Sequence, residues 1–117
     1  MRPTVLIVDD HGEFRASASA LLEAEGFTVV GAVADAAAAL RAVERLKPDV
    51  ALVDVQLPDL DGFAVAERLV GIAEPPRVVL ISSRDAGVYA ARLRAAPACG
   101  FLAKRELSGA SLAGLVG

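Results

Sequence analysis

Tryptophan is absent from this 117-residue chain, and cysteine, tyrosine and histidine each occur once. A single cysteine, Cys99, leaves no internal disulfide to staple the fold and fits a reducing, cytosolic setting. No stretch approaches the run of about 20 apolar residues that spans a bilayer, so no membrane partner is expected. The apolar run after Thr4 is too short for a signal-peptide core, so export is not expected either. Basic residues are few and scattered: 12 Lys and Arg stand against 15 Asp and Glu, for a net charge of −3. Without a basic stripe, direct nucleic-acid binding by this chain is not expected. Repeats, low-complexity tracts and internal linkers are also lacking. Residues 1–117 therefore read as one domain, long enough to bury roughly two thirds of the surface its unfolded chain exposes.

What the chain does have is apolar side chains, 55% of the total, arranged in short runs. Five read as strands: TVLIV (4–8), TVVGAV (28–33), DVALVDV (49–55), RVVLIS (77–82) and GFLA (100–103). The first, third and fourth are nearly continuous Val, Leu, Ile and Ala, the pattern of strands covered on both faces. The second, broken by Gly31, suits an edge. Helical periodicity fills the gaps. Phe14, Ala18, Leu21 and Leu22 form one stripe, stopped at Gly26. Leu40, Val43 and Leu46 form another, between an Asp35 cap and Pro48. Phe63, Ala66, Leu69 and Val70 form a third; a fourth helix is expected over about 86–95, and a fifth, weakened by Gly109 and Gly114, from about Ser108. Strand and helix alternating five times predicts an α/β fold: a flavodoxin-like (βα)5 doubly wound parallel sheet of order 2-1-3-4-5. Sites in such sheets lie at the carboxyl ends of the strands, here between the first and third.

Those ends carry the chemistry. Asp9 and Asp10 close the first strand, Asp54 the third, Ser82 and Ser83 the fourth, and Lys104 the fifth. Clustered carboxylates resist ionisation unless a cation neutralises them. Mg²⁺ suits the set, because it takes one or two carboxylates and leaves positions for phosphoryl oxygens. An ammonium and a hydroxyl can hold the remaining oxygens, and one aspartate can act as nucleophile to form an acyl phosphate. Asp54, at a strand tip and flanked by Val53 and Val55, meets that description best.

The segments LIVDD (6–10), DVALVDVQLPDLDG (49–62), VVLISS (78–83) and GFLAK (100–104) follow one another along nearly the whole chain. In this order they resemble the receiver domain of bacterial two-component response regulators, in the subfamily often linked to helix-turn-helix output domains. The resemblance implies Asp54 as phosphoacceptor and Asp9 and Asp10 as the metal pair, with the Gln56 backbone carbonyl as a further Mg²⁺ ligand. It also implies Lys104 as partner of the phosphoryl group, and Ser82 and Phe101 as switch residues. The expected donor is a sensor histidine kinase or a histidine phosphotransfer protein. The expected output is a changed surface over the fourth helix, fifth strand and fifth helix, used for partner binding or for a homodimer, and not turnover of a substrate. Three positions depart from the common pattern: Arg105 stands where many receivers carry proline, Phe101 replaces tyrosine, and Ser82 replaces threonine. A small aspartyl-phosphate hydrolase would place a second aspartate two positions after the nucleophile, where Gln56 stands, and an FMN carrier would open its first loop with hydroxyls and glycines. A receiver-like binding module that works without phosphorylation is the remaining alternative. The end of the chain in a glycine-containing helix, with no linker begun, is the pattern expected of a stand-alone receiver.

Simpler roles suit the other polar residues. Asp59 and Asp61 read as solvated turn residues, with Asp61 able to cap the third helix. His11 reads as a partly exposed helix opener beside the acids, and Cys99 as a small buried hydrophobe. Arg84 and Asp85 border the site, while Tyr89, Arg92 and Arg94 lie on the fourth helix as a partner face or a solvated one.

Overall fold

The computed structural model describes residues 2–117. Five strands, β1 (Thr4–Val8), β2 (Thr28–Val33), β3 (Val50–Asp54), β4 (Arg77–Ser82) and β5 (Gly100–Ala103), form one parallel sheet in the order β2-β1-β3-β4-β5. The α-helices are α1 (Gly12–Ala24), α2 (Ala36–Leu46), α3 (Gly62–Val70), α4 (Ala90–Ala95) and α5 (Gly109–Val116). This is the flavodoxin-like arrangement expected from the alternation of strand and helix.

Strand side chains alternate between two buried layers, which explains why the central runs are apolar at every position. Leu6, Val8, Ala51, Val53 and Leu80 face α2 and α3, where they meet Ala39, Val43, Val65, Ala66 and Leu69. Val5, Ile7, Leu52, Val79 and Ile81 face the other layer, with Ala18, Leu22 and Leu112 of α1 and α5. The β1–β2 register skips one residue, so that Leu6 pairs with Gly31, whose missing side chain leaves room for Leu6 and Leu46. Past the end of α1, Gly26 takes a positive φ of 106°, and the Phe27 amide returns to the Leu22 carbonyl.

Three expectations are corrected. The fourth helix is split: a 3-10 turn over Ala86–Tyr89 precedes the six residues of α4, and none of these ten residues is buried. Without an apolar stripe wide enough to seat it, that segment packs on the core only through the partly buried Tyr89 and Leu93. Val70 is 54% exposed, and Val65 takes the buried place on α3. Cys99 is exposed, with its thiol donating to the Val78 carbonyl at 3.3 Å, because β5 is an edge strand and its entry lies beyond the helical cover.

Candidate functional site

The β1 strand brings Asp9 to the sheet edge with its side chain fully buried. Its Oδ1 accepts the His11 amide at 2.8 Å, a local turn that lifts the chain off the strand and into α1. Arg15, one turn into α1, reaches back to donate to the Asp9 carbonyl at 2.7 Å. Asp10 stands at the mouth, with 37% of its side chain exposed. The His11 Nδ1 lies 3.1 Å from a carboxylate oxygen of each aspartate while most of its ring faces solvent.

The β3 strand delivers Asp54, paired in register with Ile81 of β4, and its side chain is nearly buried. Asp54 Oδ1 accepts the Gln56 amide at 3.0 Å. The following loop returns tightly, with the Gly62 amide donating to the Val55 carbonyl at 2.8 Å. Asp59 and Asp61 fix the loop at both ends. Asp61 caps α3 through the Ala64 amide and pairs with Arg92 at 2.7 Å. Asp59 reaches across to the first turn of α2, accepting from the amides of Ala36 and Ala37 at 2.9 and 3.0 Å. It is therefore a cap for a helix over twenty positions earlier, and not only a solvated turn residue.

From β5 comes Lys104. Its Nζ lies 2.6 Å from Asp9 Oδ2 and 3.1 Å from Asp54 Oδ2, and 4.6 Å from the centre of the Phe14 ring. The Asp9 contact is an ion pair that is poorly aligned as a hydrogen bond, so Asp9 Oδ2 stays buried without a directed donor. Burial pushes the Asp9 carboxyl up, but Lys104 and the His11 amide outweigh it and hold the group below the usual carboxylate range. Asp54 lies on the other side: burial, reinforced by the Asp9 charge, raises it above that range despite the Gln56 amide and Lys104. Burial works against the Lys104 ammonium, but the two aspartates more than compensate and raise its pKa.

The structure thus brings Asp9, Asp10, Asp54 and Lys104 together. Ser82, buried at the end of β4, is adjacent, but its Oγ accepts the Arg84 amide at 3.1 Å and lies 3.4 Å from the Tyr89 hydroxyl. Phe101 is set back from the acids in the α2/α3 layer, its ring centre 6.2 Å from that of Tyr89. Arg105, in the proline position, pairs with Asp85 of the β4–α4 loop; the Lys104–Glu106 turn is closed by the Ala103 amide on Glu106 Oε1, and no peptide bond among the described residues is cis. Sequence reasoning missed Phe14, Arg15 and the reach of Tyr89. Of these, only Tyr89 left a trace, as the sole tyrosine in a chain whose Phe101 lacks a hydroxyl.

One atom from each of Asp9, Asp10, His11 and Asp54 falls within 4.8 Å of the others. Carboxylate oxygens, one of them buried without a directed donor, fit a hard divalent cation such as Mg²⁺. Residues 5–112 match the response regulator receiver domain family. The chain belongs to that family. A Pseudomonas aeruginosa protein named as a transcriptional regulator is 37% identical over 102 residues, which is 87% of this chain and 49% of that protein. The receiver therefore spans about half the length of the curated relatives it matches. The signal receiver domain of the response regulator NarL from Mycobacterium tuberculosis superposes with a TM-score of 0.87 at 35% identity, covering 99% of this chain and 98% of that one. A protein-glutamate methylesterase/protein-glutamine glutaminase of Geobacter metallireducens is 38% identical over 92 residues, 26% of its length, so related receivers are joined to quite different outputs.

Proposed function

We propose that this receiver accepts a phosphoryl group from the phosphohistidine of a sensor histidine kinase, or of a histidine phosphotransfer protein, onto Asp54. The observation that carries the reading is the meeting of Lys104 Nζ with Asp9 and Asp54, residues 95 and 50 positions before it in the chain, in a buried acidic pocket at the end of β1 and β3. In the transfer, the P–N bond of the donor breaks and a bond forms between phosphorus and an Asp54 carboxylate oxygen, giving an acyl phosphate. Asp54 is held for this by the Gln56 amide on Oδ1 and Lys104 on Oδ2. The same ammonium is within reach of the added phosphoryl oxygens. Mg²⁺, held by Asp9, Asp10, Asp54 and the Gln56 carbonyl, would supply the positive charge that offsets carboxylates and phosphoryl oxygens together.

The Ser82 hydroxyl then leaves its resting partners for a phosphoryl oxygen, and Phe101 moves into the space this opens, changing the surface formed by α4, β5 and α5. That surface is the proposed site for a partner or a second copy of the receiver, in a cytoplasmic signalling pathway. The result is altered binding, with no diffusing substrate turned over. Residues 1–117 act here as one domain, alone or joined to an output module.

The test is incubation with a small acyl phosphate and Mg²⁺, followed by intact mass. One added phosphoryl group is expected in the native chain and none in Asp54→Asn or after chelation of the metal. No addition, or the same addition in Asp54→Asn, overturns the assignment.

A further inference from the structure

Phe101, the proposed switch aromatic, has no hydroxyl, yet the structure holds a tyrosine hydroxyl close to the switch serine. It comes from a different element. Tyr89 is the only tyrosine in the chain and closes the 3-10 turn Ala86–Tyr89 ahead of α4. Its ring lies between two phenylalanines, with centres 5.8 Å from Phe63 of α3 and 6.2 Å from Phe101 of β5, tilted by 54° and 51°. Arg92 of α4 covers the Phe63 ring at 4.1 Å and is itself held by Asp61. Gripped in this way, the Tyr89 hydroxyl sits 3.4 Å from Ser82 Oγ.

Resting on the reading of Asp54 and Ser82 given above, we propose that Tyr89 is a positioning residue that holds the Ser82 hydroxyl in its unphosphorylated orientation and couples its release to the aromatic contacts of α3 and β5. Ser82 Oγ has one hydrogen to give and accepts the Arg84 amide already. Either hydroxyl can be the donor in the Tyr89 contact, and rotating the Ser82 oxygen toward a phosphoryl oxygen takes it away from Tyr89 in both cases. At 3.4 Å the Tyr89 contact is longer than the usual O–H···O hydrogen bond, so it is a weak bias on the serine and not a lock. Apart from Tyr89, whose ring packs on Phe63 and Phe101, the turn is exposed, so its hold on the fold rests on those aromatic contacts. Losing its serine contact frees Tyr89 to change its packing on Phe101, which links the reacting residues to the proposed output surface without a hydroxyl at position 101.

The test uses beryllofluoride with Mg²⁺, a stable mimic of the acyl phosphate, on the full chain. Because the chain has one tyrosine and no tryptophan, intrinsic emission reports Tyr89 alone. Emission is expected to change on addition in the native chain. Calorimetric titration of Tyr89→Phe, which keeps the ring, is expected to show binding about threefold tighter than native, as loss of one weak competing hydrogen bond requires. In a Ser82→Ala background the Tyr89→Phe effect is expected to vanish, an outcome that a merely structural role for the ring would not produce. Native binding with unchanged emission, or a Tyr89→Phe effect that persists without the serine hydroxyl, overturns the role of Tyr89 and leaves the receiver reading intact. No beryllofluoride binding by the native chain, or binding that survives Asp54→Asn, overturns the receiver reading itself.

Discussion

Gly62 sits directly against the backbone of Asp54: a Cβ built on it would lie 2.5 Å from the Asp54 carbonyl oxygen and 2.9 Å from the Val55 Cα. The loop that leaves the proposed phosphoacceptor returns within one atom's width of it, and only a residue without a side chain permits that return.

Gly62→Ala is therefore expected to lower stability by about 1 to 3 kcal/mol through overpacking. It should also slow phosphorylation, since relief of the clash moves Asp54. Gly114→Ala is the contrasting case: exposed inside α5 with open space at its Cβ, it is expected to raise stability by about 0.5 to 1 kcal/mol. Denaturant midpoints with constant slope measure both, and intact-mass time courses measure the rate.

Asp54 is a buried carboxylate whose ionised form the fold disfavours. With a folded pKa above the unfolded one, stability falls as pH rises from the unfolded value through the folded value, and levels off above it. Asp54→Asn removes this liability. It is expected to be more stable than native by about 1 kcal/mol at neutral pH without metal, with the difference vanishing in acid. Thermal melts across pH in a chelating buffer test the sign.

Lys104 is the cation that keeps Asp9 and Asp54 compatible. Lys104→Met leaves two close carboxylates unpaired, and a loss of about 3 kcal/mol is expected in metal-free buffer. Because a divalent cation supplies the missing charge by binding the native state, Mg²⁺ should raise the melting temperature of Lys104→Met more than that of the native chain. Equal shifts would show that the metal and the lysine do not share the same carboxylates.

Asp61 combines two roles that different substitutions separate. Burial works against its carboxylate, but Arg92 and the Ala64 amide prevail and hold its pKa below the usual range. Its stabilisation is thus present above the unfolded carboxylate pKa and is lost as pH falls through the folded value. Asp61→Ala loses the cap, about 1 kcal/mol. Asp61→Asn retains a capping oxygen and loses only the exposed pair with Arg92, a few tenths of a kcal/mol that disappear in acid. Urea titrations at neutral and acidic pH distinguish the two.

The strands and the order of the sheet were legible in the sequence, because continuous Val-Leu-Ile runs at β1, β3 and β4 have no stable place except between two helical layers. The convergence of Asp9, Asp54 and Lys104 followed from topology, since parallel strands bring all their carboxyl ends to one edge. What escaped depends on side-chain reach across elements. Asp59 caps α2 instead of only its own turn, and the Tyr89 hydroxyl projects from a 3-10 turn onto Ser82. The 2.5 Å approach that requires glycine at position 62 appears only once the loop closes. Cys99 was misread because its composition signals a small hydrophobe, whereas its exposure is decided by the edge position of β5.

Residues 86–95 contribute no fully buried residue, only the partly buried Tyr89 and Leu93, while α1, α2, α3 and α5 each anchor at least two buried residues. The elements around the Asp54 pocket are therefore unequally anchored. Displacing α1 or α3 would mean breaking packed layers, whereas moving the 86–95 segment disturbs only partly buried contacts, chiefly those of Tyr89 and Leu93. The sheet is a stiff frame with one lightly anchored margin, and that margin is where the switching proposed above would find the least resistance.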